Sequence, residues 1–107
     1  MSEAHHLLQA LGDATRRALV ERLSERPHSV TELAVALGVT PTAVIQHLQV
    51  LQSCRLASTE KTGRKRICRL DERGLEILFQ WIADHRADWT RKLDRLGQHL
   101  EKQDKDG

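Results

Sequence analysis

The chain has 107 residues, 39% hydrophobic, 30% charged and only 3% aromatic, with a formal net charge of +2. That length predicts one domain whose modest core is built from Leu, Val, Ile and Ala. The composition excludes a disordered chain, and no apolar run approaches the roughly 18 residues that a membrane span needs.

Residues 3–11 (EAHHLLQAL) read as a short helix with an apolar face of Leu7, Leu8 and Leu11, stopped by Gly12. Asp13 is placed to cap a second helix, ATRRALVERLSE, in which Ala14, Ala18, Leu19 and Leu23 recur at helical spacing. Pro27 ends it and His28 falls in the following loop. Arg17 and Glu21 stand at i,i+4, so a salt pair competes with phosphate contact as the use of Arg16 and Arg17. Ser29 or Val30 leads into a third helix over 31–37, closed by Gly38. Thr40 then caps a fourth helix over 41–53, with Pro41 at the first helical position, where the missing N–H costs nothing. Two small helices joined by Gly38-Val39-Thr40 have the spacing of a helix-turn-helix.

The fourth helix is two-sided. Val44, Leu48 and Leu51 form one apolar stripe, while Thr42, Ile45, Gln46 and Gln49 share the other face. An ordinary surface helix carries Lys and Glu there. After Leu56 the pattern changes to two β-prone runs, ASTEK and KRICRL, around Thr62-Gly63-Arg64, which reads as a hairpin with Gly63 at positive φ. Lys61, Arg64, Lys65 and Arg66 crowd its tip, and residues 53–70 hold 6 Lys/Arg against 1 Asp/Glu. A basic spot on a near-neutral chain points to a local polyanion contact. A helix-turn-helix followed at once by such a hairpin is a winged helix.

Asp71 caps a last helix predicted over 72–102, followed by a frayed tail at 103–107. Leu75, Leu78, Ile82, His85, Trp89, Leu93, Leu96 and Leu100 recur along it at three- and four-residue steps. About 29 helical residues span roughly 43 Å, more than the roughly 30 Å diameter of the body, so the helix overhangs and needs a cover. A second copy of the chain is the simplest supplier. The expected architecture is therefore mainly α with a small β-hairpin, in the order α-α-α-α-β-β-α. Residues 1–107 form one winged-helix domain: a DNA-binding core and wing at 13–70, and dimerising helices at 3–11 and 72–102.

These stretches together resemble the ArsR/SmtB family of bacterial winged-helix repressors over roughly residues 7–82. The resemblance rests on LGDATRRALVERL, VTELAVALGVTPTAVIQHLQVL, the wing TGRKRICRLD and the start of the last helix. It implies a homodimer that binds a pseudo-palindromic operator in double-stranded DNA until a signal of unspecified chemistry releases it. It also implies contact through the first and last helices, with Leu7, Leu8, Leu11, Leu78, Ile82, His85, Trp89, Leu93 and Leu96 at the interface. The chain departs from the metal-sensing members. Leu33-Ala34-Val35-Ala36 stands where they carry a cysteine pair, and a second family site is broken at Arg86 and Lys102. It departs again at Ile45, Gln49 and Arg55, where the family usually has a small hydroxyl, a base and a glycine.

On this reading Gln46 suits adenine, Ile45 a thymine methyl, Thr42 a base edge or phosphate and Thr40 a phosphate. Gln49 lies near the backbone, and His47 points partly back toward the body. Lys61, Arg64, Lys65 and Arg66 would meet phosphates or the minor groove. Competing readings are a solvated polar face and a winged-helix module that binds proteins instead of DNA.

Weaker constellations remain. Adjacent His5 and His6 diverge around the helix, and His85 with Asp88 makes one i,i+3 pair, so no converging set of three or four metal ligands is visible. Cys54 and Cys68, both flanked by Arg, could form a thiol redox switch, or they are small buried hydrophobes. Catalytic and cofactor motifs are lacking, so neither an enzyme nor a cofactor is expected. The N-terminal residues lack the pattern of a signal peptide, so the expected compartment is cytoplasmic.

Overall fold

The computed structural model describes the backbone of residues 2–106 and the side chains of residues 2–98. Five helices and three strands follow in the order α1 (Glu3–Ala10), α2 (Ala14–Glu25), β1 (His28–Ser29), α3 (Val30–Leu37), α4 (Pro41–Ser53), β2 (Ala57–Thr62), β3 (Lys65–Leu70) and α5 (Glu72–Asp106). The order matches the expected winged helix except for β1. His28 does not sit in a free loop: it pairs with Cys68, and Ser29 with Ile67, making a three-stranded antiparallel sheet in the order β1-β3-β2. A two-residue strand has no periodicity of its own, because its only evidence is a partner forty residues away.

The helix starts follow from capping chemistry. Ser2, Asp13, Ser29 and Thr40 each accept a backbone N–H three residues on, at 3.0–3.2 Å. Ser29 and Glu32 form a reciprocal capping box. The chain turns by 108° between α3 and α4. Gly38 makes that turn at φ +66, with Val39 N–H donating to the Ala34 carbonyl and Gly38 N–H to the Val35 carbonyl.

The end of α4 repeats this geometry with the wrong residue. Leu56 N–H donates to the Leu51 carbonyl and Arg55 N–H to Gln52, so Arg55 takes the left-handed position at φ +61. A side chain there is strained, and the turn is held by these two hydrogen bonds together with the buried Leu56. α5 begins directly against this turn. Gly74 N–H donates to the Arg55 carbonyl at 2.8 Å, and a Cβ on Gly74 would lie 2.5 Å from that oxygen.

The core joins all the elements of the body. Leu7, Leu19, Leu33, Val44, Leu48, Leu51, Leu56 and Cys68 are fully buried. The Val44–Leu48–Leu51 stripe thus faces inward as its spacing predicts, and Val39 packs half-buried beside it. Leu7 is a correction. At 1% exposure it belongs to this core, where α1 packs on α5, and is not available to a partner. Leu11 and Leu78 are half-buried against the same core.

The molecule measures 69 × 26 × 24 Å because α5 overhangs. That helix is continuous to Asp106, four residues past the predicted end at 102, since nothing in EKQDKD breaks it. The expected tail at 103–107 is therefore helical through Asp106, and Gly107 lies outside the described residues.

Two substitutions test this junction by chemical denaturation. Arg55→Gly should stabilise the protein by roughly 1 kcal/mol through relief of the left-handed backbone. Gly74→Ala should destabilise it by about 2 kcal/mol or more, because the added carbon must displace a backbone oxygen. A neutral Gly74→Ala would mean that α5 does not start where it is placed here.

Candidate nucleic-acid interface

α4 is held by its buried stripe, which fixes what it presents outward. Thr42, Ile45, Gln46 and Gln49 are all exposed. They form a short uncharged face of one hydroxyl, two amides and a branched methyl surface. Thr40, also exposed, accepts the Ala43 N–H at 3.1 Å and keeps its own hydroxyl proton free to donate. At the other end, Gln52 donates to Thr59 Oγ1 at 3.1 Å, tying α4 to strand β2.

His47 does not join this face. It is three-quarters buried, and its Nδ1 lies 4.0 Å from Asp13 Oδ1, the cap of α2. Asp13 accepts the Arg16 N–H, which holds its carboxyl below the usual range, so an anion stands ready beside the imidazole. His47 therefore braces α4 against α2. Arg16 and Arg17 also take a role that local spacing did not predict. Arg16 Nε donates to the Ala10 carbonyl at 2.6 Å and Arg17 to the Leu11 carbonyl at 2.8 Å. They cap the C-terminus of α1, where cations are favoured, and neither a phosphate contact nor an Arg17–Glu21 pair is needed to explain them.

The wing carries the charge. Thr62 pairs with Lys65 around the Gly63-Arg64 turn, and Gly63 has φ +62 as the hairpin requires. Lys61 lies directly opposite Arg66 across the ladder. Like charges in that position repel. All four tip cations, Lys61, Arg64, Lys65 and Arg66, are exposed, and none takes part in an ion pair among the described residues. The arrangement costs stability unless an anion from outside neutralises it. Between this tip, α3 and Ile45 runs an open cleft of about 660 Å³.

At both cysteines burial outweighs the positive charge nearby, Arg16 for Cys54 and Arg66 for Cys68. Burial pushes the Cys68 thiol up to about 11, and burial also raises Cys54, which donates to the Val50 and Leu51 carbonyls. Nearby arginines do not offset this, and of the two readings of these cysteines burial favours the small buried hydrophobe. His85 Nδ1 faces the Trp81 carbonyl at 2.7 Å, and Asp88 pairs with Arg91, so the two residues of the i,i+3 set each have a partner of their own.

At pH 7 a thiol at about 11 is ionised to roughly one part in ten thousand, and ionisation rises only as pH approaches that value. Native alkylation with iodoacetamide should therefore leave Cys68 unmodified while the unfolded chain reacts fully, with Cys54 reacting more slowly than a free cysteine. Rapid labelling of Cys68 in the folded protein would contradict its placement.

Comparison with known proteins agrees with this geometry. Residues 13–59 match the family described as bacterial regulatory protein, arsR family. The HTH-type transcriptional regulator Rv2034 of Mycobacterium tuberculosis is 43% identical, over 92% of this chain and 89% of its own. The HTH-type transcriptional repressor SmtB of the same organism is 36% identical over 78% of this chain and 62% of its own. Among solved structures, an ArsR-like transcriptional regulator from Rhodococcus sp. RHA1 superposes with a TM-score of 0.73 at 30% identity, covering 90% and 91% of the two chains. With the helix-turn-helix, the wing and these relatives in agreement, the chain belongs to the arsR family of bacterial transcriptional regulators.

Proposed function

We propose that the protein is a dimeric repressor that reads duplex DNA with α4 and grips its backbone with the wing. The observation that carries this reading is the uncharged face of α4 set beside four unpaired wing cations. A bidentate amide such as Gln46 fits adenine N6 and N7, and Ile45, 37% exposed, fits a thymine methyl. Thr42 and Gln49 border that contact, and Thr40 with the N-terminal N–H groups of α4 favours a phosphate. Lys61, Arg64, Lys65 and Arg66 supply counterion release and the salt dependence that comes with it. The repressor sign is drawn from SmtB, which is named a repressor. A regulator that binds DNA must share the compartment of that DNA, which supports a cytoplasmic reading.

Dimerisation rests on α5. Phe79, Ile82, Trp89, Leu93 and Leu96 are all exposed on the helix, Phe79 at 68%. Phe79 does not lie on the stripe read from the sequence, which ran through Leu75 and Leu78. With Arg86 these residues follow steps of three, four, three, four and three, the a/d repeat of a two-helix seam. Burying an apolar side chain of this size contributes about 1.5–3 kcal/mol, so leaving five in water is costly. A second α5 covers them, and Leu8 of α1, also exposed, is available as a further contact. Leu100 continues the repeat but lies outside the described side chains. Two modules about a two-fold axis then meet half-sites roughly 34–36 Å apart, or a small multiple of it.

Gln46→Ala should lose about 1–3 kcal/mol at one base pair of each half-site and little elsewhere. Arg64→Ala should weaken all sequences alike and lower the salt slope by about 1. Binding assays on a set of single-base operator variants separate the two, and identical profiles would refute the division of labour. Leu93→Glu should leave the circular dichroism spectrum unchanged and give a monomer by sedimentation, with DNA affinity lost; a persistent dimer would place the seam elsewhere.

A further inference from the structure

The cleft of about 660 Å³ between α3, α4 and the wing is not fully explained by DNA. Its volume lies within the range of small-molecule sites, roughly 300–1,000 Å³. Its floor is apolar: Val30, Val35 and Ala36 from α3 and Ile45 from α4. Val35 is 79% exposed, on a helix that offers nothing to a base edge. A sugar-phosphate strand gains little from such a floor, and a phosphate is repelled by Glu32 on the same wall. Glu32 remains ionised because the Ser29 N–H, Arg26 and His28 all favour its carboxylate. The opposite wall is cationic, made by Arg64, Lys65 and Arg66. The cleft is thus polarised, with a carboxylate on one side, an oily floor and three cations on the other.

We infer that this cleft binds a small amphipathic carboxylate, its charged head on the wing cations and its apolar body over Val35 and Ile45. Charge complementarity fixes the orientation, since the head is drawn to Arg64–Arg66 and driven from Glu32. An occupant of this kind neutralises the wing and covers Ile45, so it competes with DNA for the same residues. That regulatory consequence rests on the DNA-binding reading proposed above, whereas the binding itself does not.

The test uses the full chain, labelled with nitrogen-15, and sodium decanoate below its micelle concentration. Decanoate should shift the amides of residues 29–36, Ile45 and residues 64–66. Val35→Gln should weaken the titration about tenfold, the effect of removing one apolar contact, and leave the fold unchanged. Decyltrimethylammonium, with the same tail and the opposite charge, should bind at least about tenfold more weakly, because the one carboxylate of the lining, Glu32, is already paired with Arg26 and His28. Shifts confined to the exposed seam of α5, or equal binding of the cationic amphiphile, would overturn the assignment. With a bound operator duplex, decanoate should release the DNA and Val35→Gln should require about tenfold more of it. A duplex that stays bound while the cleft fills would overturn the competition. A protein that takes decanoate in the cleft and never binds duplex would sink the DNA reading alone and leave this site standing.

Discussion

A helix that buries one side cannot choose what it does with the other, and α4 is the clearest case in this molecule. Val44, Leu48 and Leu51 are fixed in the core, and His47 is braced against the cap of α2. Gln52 is tied to the wing at the far end. Rotation of α4 by even a third of a turn would expose leucine and bury amide, each at a cost of a few kcal/mol. Thr42, Ile45, Gln46 and Gln49 are therefore displayed with little freedom, as a rigid reading surface must be. The wing is positioned by the same packing, because β3 carries the buried Cys68 into the core while its tip stays in water.

The distribution of charge gives this surface its direction. Two arginines that could have widened the basic patch, Arg16 and Arg17, are consumed in capping α1. The hairpin tip gathers four cations that take part in no ion pair among the described residues, and Lys61 and Arg66 face one another across its ladder. The same tip borders an apolar cleft, so on the two readings proposed above one set of cations would serve both a polyanion and a smaller competing anion. A regulator with overlapping sites needs no long-range conformational change to respond, because exclusion alone couples the two equilibria.

Much of this was legible in the residues. Caps at Asp13 and Thr40, the Gly38 turn, Pro41 and the Gly63 hairpin are local signals, and each is realised where it is written, while α3 starts at Val30 behind a Ser29 cap, one residue before the expected 31. What was not legible is non-local. His28 joins the sheet only because β3 reaches it, and Leu7 is buried only because α5 packs over α1. The α5 stripe was read as a single line, but its first turns face the body through Leu75 and Leu78 while the overhang turns Phe79 and Ile82 outward. Periodicity gives the faces of a helix without telling which neighbour each face meets. Arg55 is a departure of another kind: the left-handed backbone is kept and the glycine that would suit it is absent. The split of α4 into a buried stripe and an exposed uncharged face was legible from spacing, and His47, read as pointing partly back toward the body, lies between that face and Asp13.

The most direct measurement is selection of bound duplexes from a random DNA pool by the intact protein, read by sequencing. The account predicts enrichment of an inverted repeat whose half-sites lie one helical turn or a small multiple apart, each rich in A·T pairs where Gln46 and Ile45 reach. No enrichment, or a lone half-site without a symmetric mate, would contradict it.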